Sequence, residues 1–220
     1  MTDLSTELES IGKKVRESFS AKHEARDKAI KSSREAIYKC STSIRAAHRG
    51  EFDLAKSLAD EAKAILDDVD KAIGDYDDLR YTGFVLDSQK EYAEARATLA
   101  LISGQPVPGP DELGVKYSAY LNGLGEAAGE LRRHILDVMR RGEVEHCEKI
   151  LGMMDDIYSL LVTIDYPDAL TGGLRRTTDM VRGVLERSRG DLTVALRQKE
   201  LETKLEAFNK NLKGGNAGVE

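Results

Sequence analysis

The chain has 220 residues, a net charge of -6 and 33% charged residues, with 5% aromatics and no Trp. That length supports one sizeable core. The negative balance excludes wrapping of nucleic acid by the whole surface but leaves room for a local basic patch. No apolar run approaches the roughly 18 residues of a membrane span, and the polar start Met1-Thr2-Asp3-Leu4-Ser5 has no signal-peptide core. Cys40 and Cys147 sit at no metal or redox spacing, so a reduced, cytoplasmic setting is the expectation.

The elements read as helices throughout. Apolar positions recur at helical spacing over 4–48, where Ile30, Ile37 and Ile44, with Cys40 between, predict the buried seam. Lys13, Lys14 and Arg16 form a basic cluster within it, read as solvated. Gly50 stops this helix, and a second follows from Glu51 through Leu54, Leu58, Ile65, Leu66 and Ile73. After an interruption at 74–78, a third is predicted over 78–102. The run Ser103-Gly104-Gln105-Pro106-Val107-Pro108-Gly109-Pro110 is a loop. A fourth helix restarts at Asp111 or Ser118 and ends at Gly142, and a fifth covers 143–164, apolar over much of its circumference. Tyr166-Pro167-Asp168 breaks the pattern before a last helix over 169–210, with a kink expected at Gly190-Asp191. The prediction is all-α: six or seven long helices in one domain over 1–210, then a disordered tail over 211–220.

Two acidic pairs stand out. Glu91 and Glu94 are three apart, Glu126 and Glu130 four apart, so each pair shares a helix face. The second pair lies among Gly, Ala and Leu, with no other charge from Leu121 to Leu131. Burying carboxylates is costly unless a cation or metal compensates. Four of them from two helices would hold Mg²⁺, or Mn²⁺ in its place, through hard oxygen ligands, which suits phosphodiester hydrolysis. Gly123, Gly125 and Gly129 are poor helix formers, which points to close approach by another backbone or a ligand. Asn122, Glu126, Glu130 and Arg133 fall on one face. The plainer reading makes the glutamates surface residues paired with Lys90, Arg96, Arg132 or Arg133. A di-iron centre needs two Glu-x-x-His motifs, and the chain has one, Glu143-Val144-Glu145-His146. An all-α nucleotide pyrophosphohydrolase, with its own carboxylate pairs, stays open.

Glu91-Tyr92-Ala93-Glu94-Ala95 resembles the Glu-Tyr-x-Glu-Ala segment of the translin superfamily. The stretch from Tyr120 to Leu131 resembles that family's Tyr-Leu-x-Gly-x-x-Asp-x-x-Gly-Glu-Leu segment, with Glu126 standing where the family has Asp. Ser33-Arg34-Glu35 and His48-Arg49 are similar to the family's early Ser-Arg-Asp and His-Arg. The likeness is greatest to the catalytic branch, translin-associated factor X and its archaeal relatives. It implies an endoribonuclease for single-stranded RNA, with DNA as a second ligand. Glu91, Glu94, Glu126 and Glu130 would be its catalytic and metal-binding residues, and the chain would assemble into a closed homo-octamer with RNA inside. A non-catalytic, translin-like binding oligomer is the alternative. For RNA contacts, Arg34, Tyr38, Thr42, Arg45 and Arg49 recur along one face of the first helix. The arginines there would hold phosphates and Tyr38 would stack on a base. Arg133, beside Glu130, is the candidate cation near the scissile phosphate.

Overall fold

In a computed structural model of the chain, residues 3–74 and 76–215 are described, with side chains as far as Asn211. The described residues are all-α, without a strand. Six long helices, α1 (Leu4–His48), α2 (Phe52–Ile73), α4 (Gly83–Ser103), α6 (Tyr117–Arg140), α7 (Val144–Val162) and α9 (Leu174–Gly215), alternate with single-turn α3 (Asp77–Arg80), α5 (Pro110–Leu113) and α8 (Asp168–Thr171). None of the described helices is long and apolar enough to cross a membrane. The chain forms two compact units. One runs up to Ala127 and takes in Tyr166–Leu174; the other comprises Ala128–Asp165 and the chain from Arg175 on.

In the first unit α1 and α2 form an antiparallel hairpin closed by Arg49-Gly50-Glu51. The pairing runs in opposite chain directions: Ser43 Oγ donates to the Ala55 carbonyl at 2.7 Å, Lys39 Nζ to Glu61 at 2.6 Å, and Lys22 pairs with Asp78. Helix α4 packs against both, with Arg96 3.0 Å from Asp60 of α2 and Ser88 Oγ 3.4 Å from Ser33 Oγ of α1. The core they share contains Ala36, Cys40, Ile44, Ala59, Leu66 and Tyr92.

The predicted seam of α1 holds at Cys40, Ile44 and Ala47, which are buried, and shifts earlier in the helix, where Ala29, Ser33 and Ala36 are buried while Ile30 and Ile37 are half-buried. Two helices press on α1 at once, and small side chains occupy the line where backbones come closest. Ile30 and Ile37 fill the flanks.

In the second unit Arg132 of α6 donates to Ser188 Oγ at 3.1 Å and to Asp191 at 2.8 Å, tying α6 to α9. Helix α7 buries Val144, Cys147, Ile150, Leu151, Met154, Ile157 and Leu161 but leaves Leu160 and Val162 exposed.

Several boundaries differ from the sequence reading. The predicted helix 78–102 is split at Tyr81-Thr82. The predicted helix 169–210 is split at Gly172-Gly173, whose φ values of 63° and 83° no ordinary helix accommodates. No break occurs at Gly190-Asp191; α9 runs through it, and the Arg132–Asp191 pair fixes that turn. Helix α9 extends to Gly215, and the remainder of the tail expected over 211–220 lies outside the described residues, as does Asp75 in the predicted 74–78 interruption.

Candidate acidic site

Helix α4 carries Glu91 and Glu94 on neighbouring turns, and the first half of α6 brings Glu126 to them. Carboxylate oxygens of the three lie within 4.8 Å of one another, all inside the first unit. Glu94 is only 9% exposed, and Glu91 and Glu126 are half-buried. The approach depends on Gly123. A Cβ there would stand 2.4 Å from the Lys90 carbonyl oxygen, 2.9 Å from Ala93 Cβ and 3.0 Å from the Glu94 amide nitrogen. Only a residue without a side chain lets α6 lie this close to the turn of α4 that bears both glutamates. Gly129, by contrast, has nothing within 4 Å. Asn122 anchors α6 from its other neighbour, donating through Nδ2 to the carbonyls of Ser118 and Thr171, both at 2.8 Å.

Lys90 sets the electrostatics. Its ammonium donates to Glu126 Oε1 at 2.7 Å and lies 3.6 Å from Glu91 Oε1. Burial works against that charge, but the hydrogen bond to Glu126 and the charges of Glu126, Glu91 and Asp87 outweigh it and hold Lys90 above the usual lysine range. Glu91 is pushed up from the ordinary carboxylate range, first by burial and then by Glu126, with Lys90 opposing. The negative field reaches α1: burial, then Glu91 and Glu94, push the Cys40 thiol up to about 12.

Of the cations named as surface partners, Lys90 does pair with the glutamates, with Glu126 across helices and with Glu91 along α4. Arg133 lies 3.7 Å from Glu130, while Arg96 and Arg132 pair with Asp60 and Asp191 instead. Glu130 and Arg133 belong to the second unit. On α1, Arg34, Tyr38 and Arg45 are exposed, with Tyr38 at 64%. Arg45 reaches Thr42 Oγ1 at 3.0 Å, and Arg49 is clamped by both oxygens of Glu51 at 2.9 and 2.6 Å. The sequence named Lys90 only as a surface ion-pair partner of the glutamates, not as part of the site. Its position beside Glu91 in a buried acidic segment was the signal available.

Fold and site thus define an all-α subunit with an acidic cluster between two of its helices. No protein-family model matches the chain. Among solved structures it is similar to AfC3PO in its duplex RNA complex, 32% identical, covering 87% of this chain and 97% of that one with a TM-score of 0.75. A crystal structure of AfC3PO gives the same identity and TM-score, covering 87% of this chain and 98% of that one. Apo-NeC3PO, 21% identical with a TM-score of 0.75, shares the fold. An uncharacterised protein of Methanocaldococcus jannaschii is 29% identical over 189 residues, 84% of this chain and 82% of its own length. The chain belongs to the translin superfamily, with the C3PO proteins.

Proposed function

We propose that this protein is a divalent-metal-dependent endoribonuclease of the translin-associated factor X-like branch, cutting single-stranded RNA inside a closed octamer of its own subunits. The observation that carries the reading is the convergence of Glu91, Glu94 and Glu126 within 4.8 Å. The donor set suits Mg²⁺ or Mn²⁺: carboxylate oxygens from three residues, in a partly buried setting. Bound there, such an ion supplies Lewis-acid charge at the scissile phosphate and a water acidic enough to attack it.

The protein's own groups account for the rest. Glu91, raised by burial, suits proton transfer from water to the departing oxygen. Lys90 steadies the crowded carboxylates and places a positive charge where phosphoryl oxygens would gather. Arg34, Tyr38 and Arg45 offer phosphate contacts and a stacking ring on the exposed face of α1. Arg49 serves only by exchanging Glu51 for a phosphate. Glu130, proposed as a further metal-binding carboxylate, and Arg133, proposed as a phosphate-binding cation, lie 3.7 Å apart within the second unit. Enclosure in an octamer reconciles a net charge of -6 with RNA binding, since only the inner face need be basic.

A non-catalytic, RNA-binding oligomer is the second reading, and one observation favours it: Lys90 already compensates two of the three carboxylates. The experiment is incubation with end-labelled single-stranded and duplex RNA, in Mg²⁺ and in EDTA. Internal cuts in the single strand that EDTA abolishes support the nuclease. Binding without cutting selects the second reading.

A further inference from the structure

We propose that the start of α1 is a self-association surface on which residues 4–15 of two copies pair antiparallel. From Asp3 to Ala21 every residue but Gly12 is exposed. Within this stretch Leu4, Leu8, Ile11, Val15 and Phe19 recur at spacings of four, three, four and four. They form one apolar stripe, each residue between 45% and 68% exposed. The stripe is continuous along the helix with the face that α2 and α4 bury from Ala29 onward. That cover ends near Lys22, which pairs with Asp78 and lies over the Tyr76 ring. Sixteen residues span about 24 Å, and a helix of that length standing alone in water is marginal. An apolar seam at this spacing is what a second helix covers.

The flanking charges select the occupant. Asp3, Glu7 and Glu9 lie in the first turns, whereas Lys13, Lys14 and Arg16 lie in the later ones, where Glu17, 4.0 Å from Lys13, is the one acidic residue. Two parallel copies would set like charges side by side. Antiparallel copies set them against opposites: Leu4 meets Val15, Leu8 meets Ile11, and Glu7 faces Lys14, each twice about a two-fold axis midway between Leu8 and Ile11. Lys14, of the basic cluster read as solvated, thereby acquires a partner, and the inference is independent of any nuclease activity.

The test is disulfide trapping in the full chain at low protein concentration; the native Cys40 and Cys147 are both buried. The double variant Leu4→Cys/Val15→Cys is expected to form a cross-linked dimer at least about ten-fold faster than Lys13→Cys on the outer face, because pairing raises the local thiol concentration. Leu4→Cys alone should not cross-link. Adding Leu8→Glu/Ile11→Glu should abolish the Leu4→Cys/Val15→Cys product. Equal rates for Leu4→Cys/Val15→Cys and Lys13→Cys, efficient linkage by Leu4→Cys alone, or indifference to the charge insertions would each overturn the proposal.

Discussion

Lys90 and Cys40 report the same crowding of negative charge from opposite sides. Replacing Lys90 by Met leaves Glu91 and Glu126 without their ammonium. The pair is partly solvated, so the expected loss in metal-free stability is about 1–2 kcal/mol, between surface and buried ion-pair values. Mg²⁺ or Mn²⁺ should raise the unfolding midpoint of Lys90→Met more than that of the wild type. Equal shifts would remove the cluster as the binding site. Cys40 gives a pH prediction. A thiol raised to about 12 keeps its proton in the fold where the unfolded chain, at an ordinary 9.0, has lost it. Stability from this source is therefore intact below pH 9 and falls as pH rises toward 12, by about 1.4 kcal/mol per pH unit. Denaturant unfolding of wild type and Cys40→Ala between pH 8 and 11 checks it: the variant should lose the steeper part of the decline.

The α4–α6 contact is where element and site become one problem. Gly123→Ala would force a methyl group against the Lys90 carbonyl, which is rigid helix backbone. Overpacking of this kind costs about 1–3 kcal/mol, and here it also moves Glu126 away from Glu91 and Glu94. Urea unfolding together with Mn²⁺ titration should show both losses, while Gly129→Ala should show neither. The sequence made part of this legible. Glycines within an apolar helix signalled a close approach, and the approach occurs at Gly123. The acidic pairs at helical spacing marked the cluster from which Glu91, Glu94 and Glu126 converge. Other features were not legible because they depend on tertiary packing. Whether Ile30 and Ile37 or the smaller Ala29, Ser33 and Ala36 face the core is decided by two helices closing on α1 together, which a periodicity does not reveal. Gly172-Gly173 and Gly190 look alike in sequence. The first pair adopts positive φ and ends a helix, whereas the second stays helical within a turn pinned by Arg132 and Asp191.

For the whole molecule, translin-superfamily membership and the acidic cluster support one account: a shell whose subunits turn carboxylates and arginines toward enclosed RNA. Analytical ultracentrifugation should give a mass eight times the 24.3 kDa chain. A monomer at micromolar concentration would remove the enclosure from the argument, though not the chemistry of the cluster. The most direct measurement is single-turnover cleavage of a pre-bound, end-labelled single-stranded RNA, started by adding Mg²⁺. Wild type is compared with Glu91→Gln/Glu126→Gln at equal RNA occupancy. The account predicts internal cleavage by the wild type and a loss of at least about a hundred-fold in the variant, as expected when groups acting on the reacting atoms are removed. Wild type that binds RNA but leaves it intact, or a variant that cuts as fast, would contradict it.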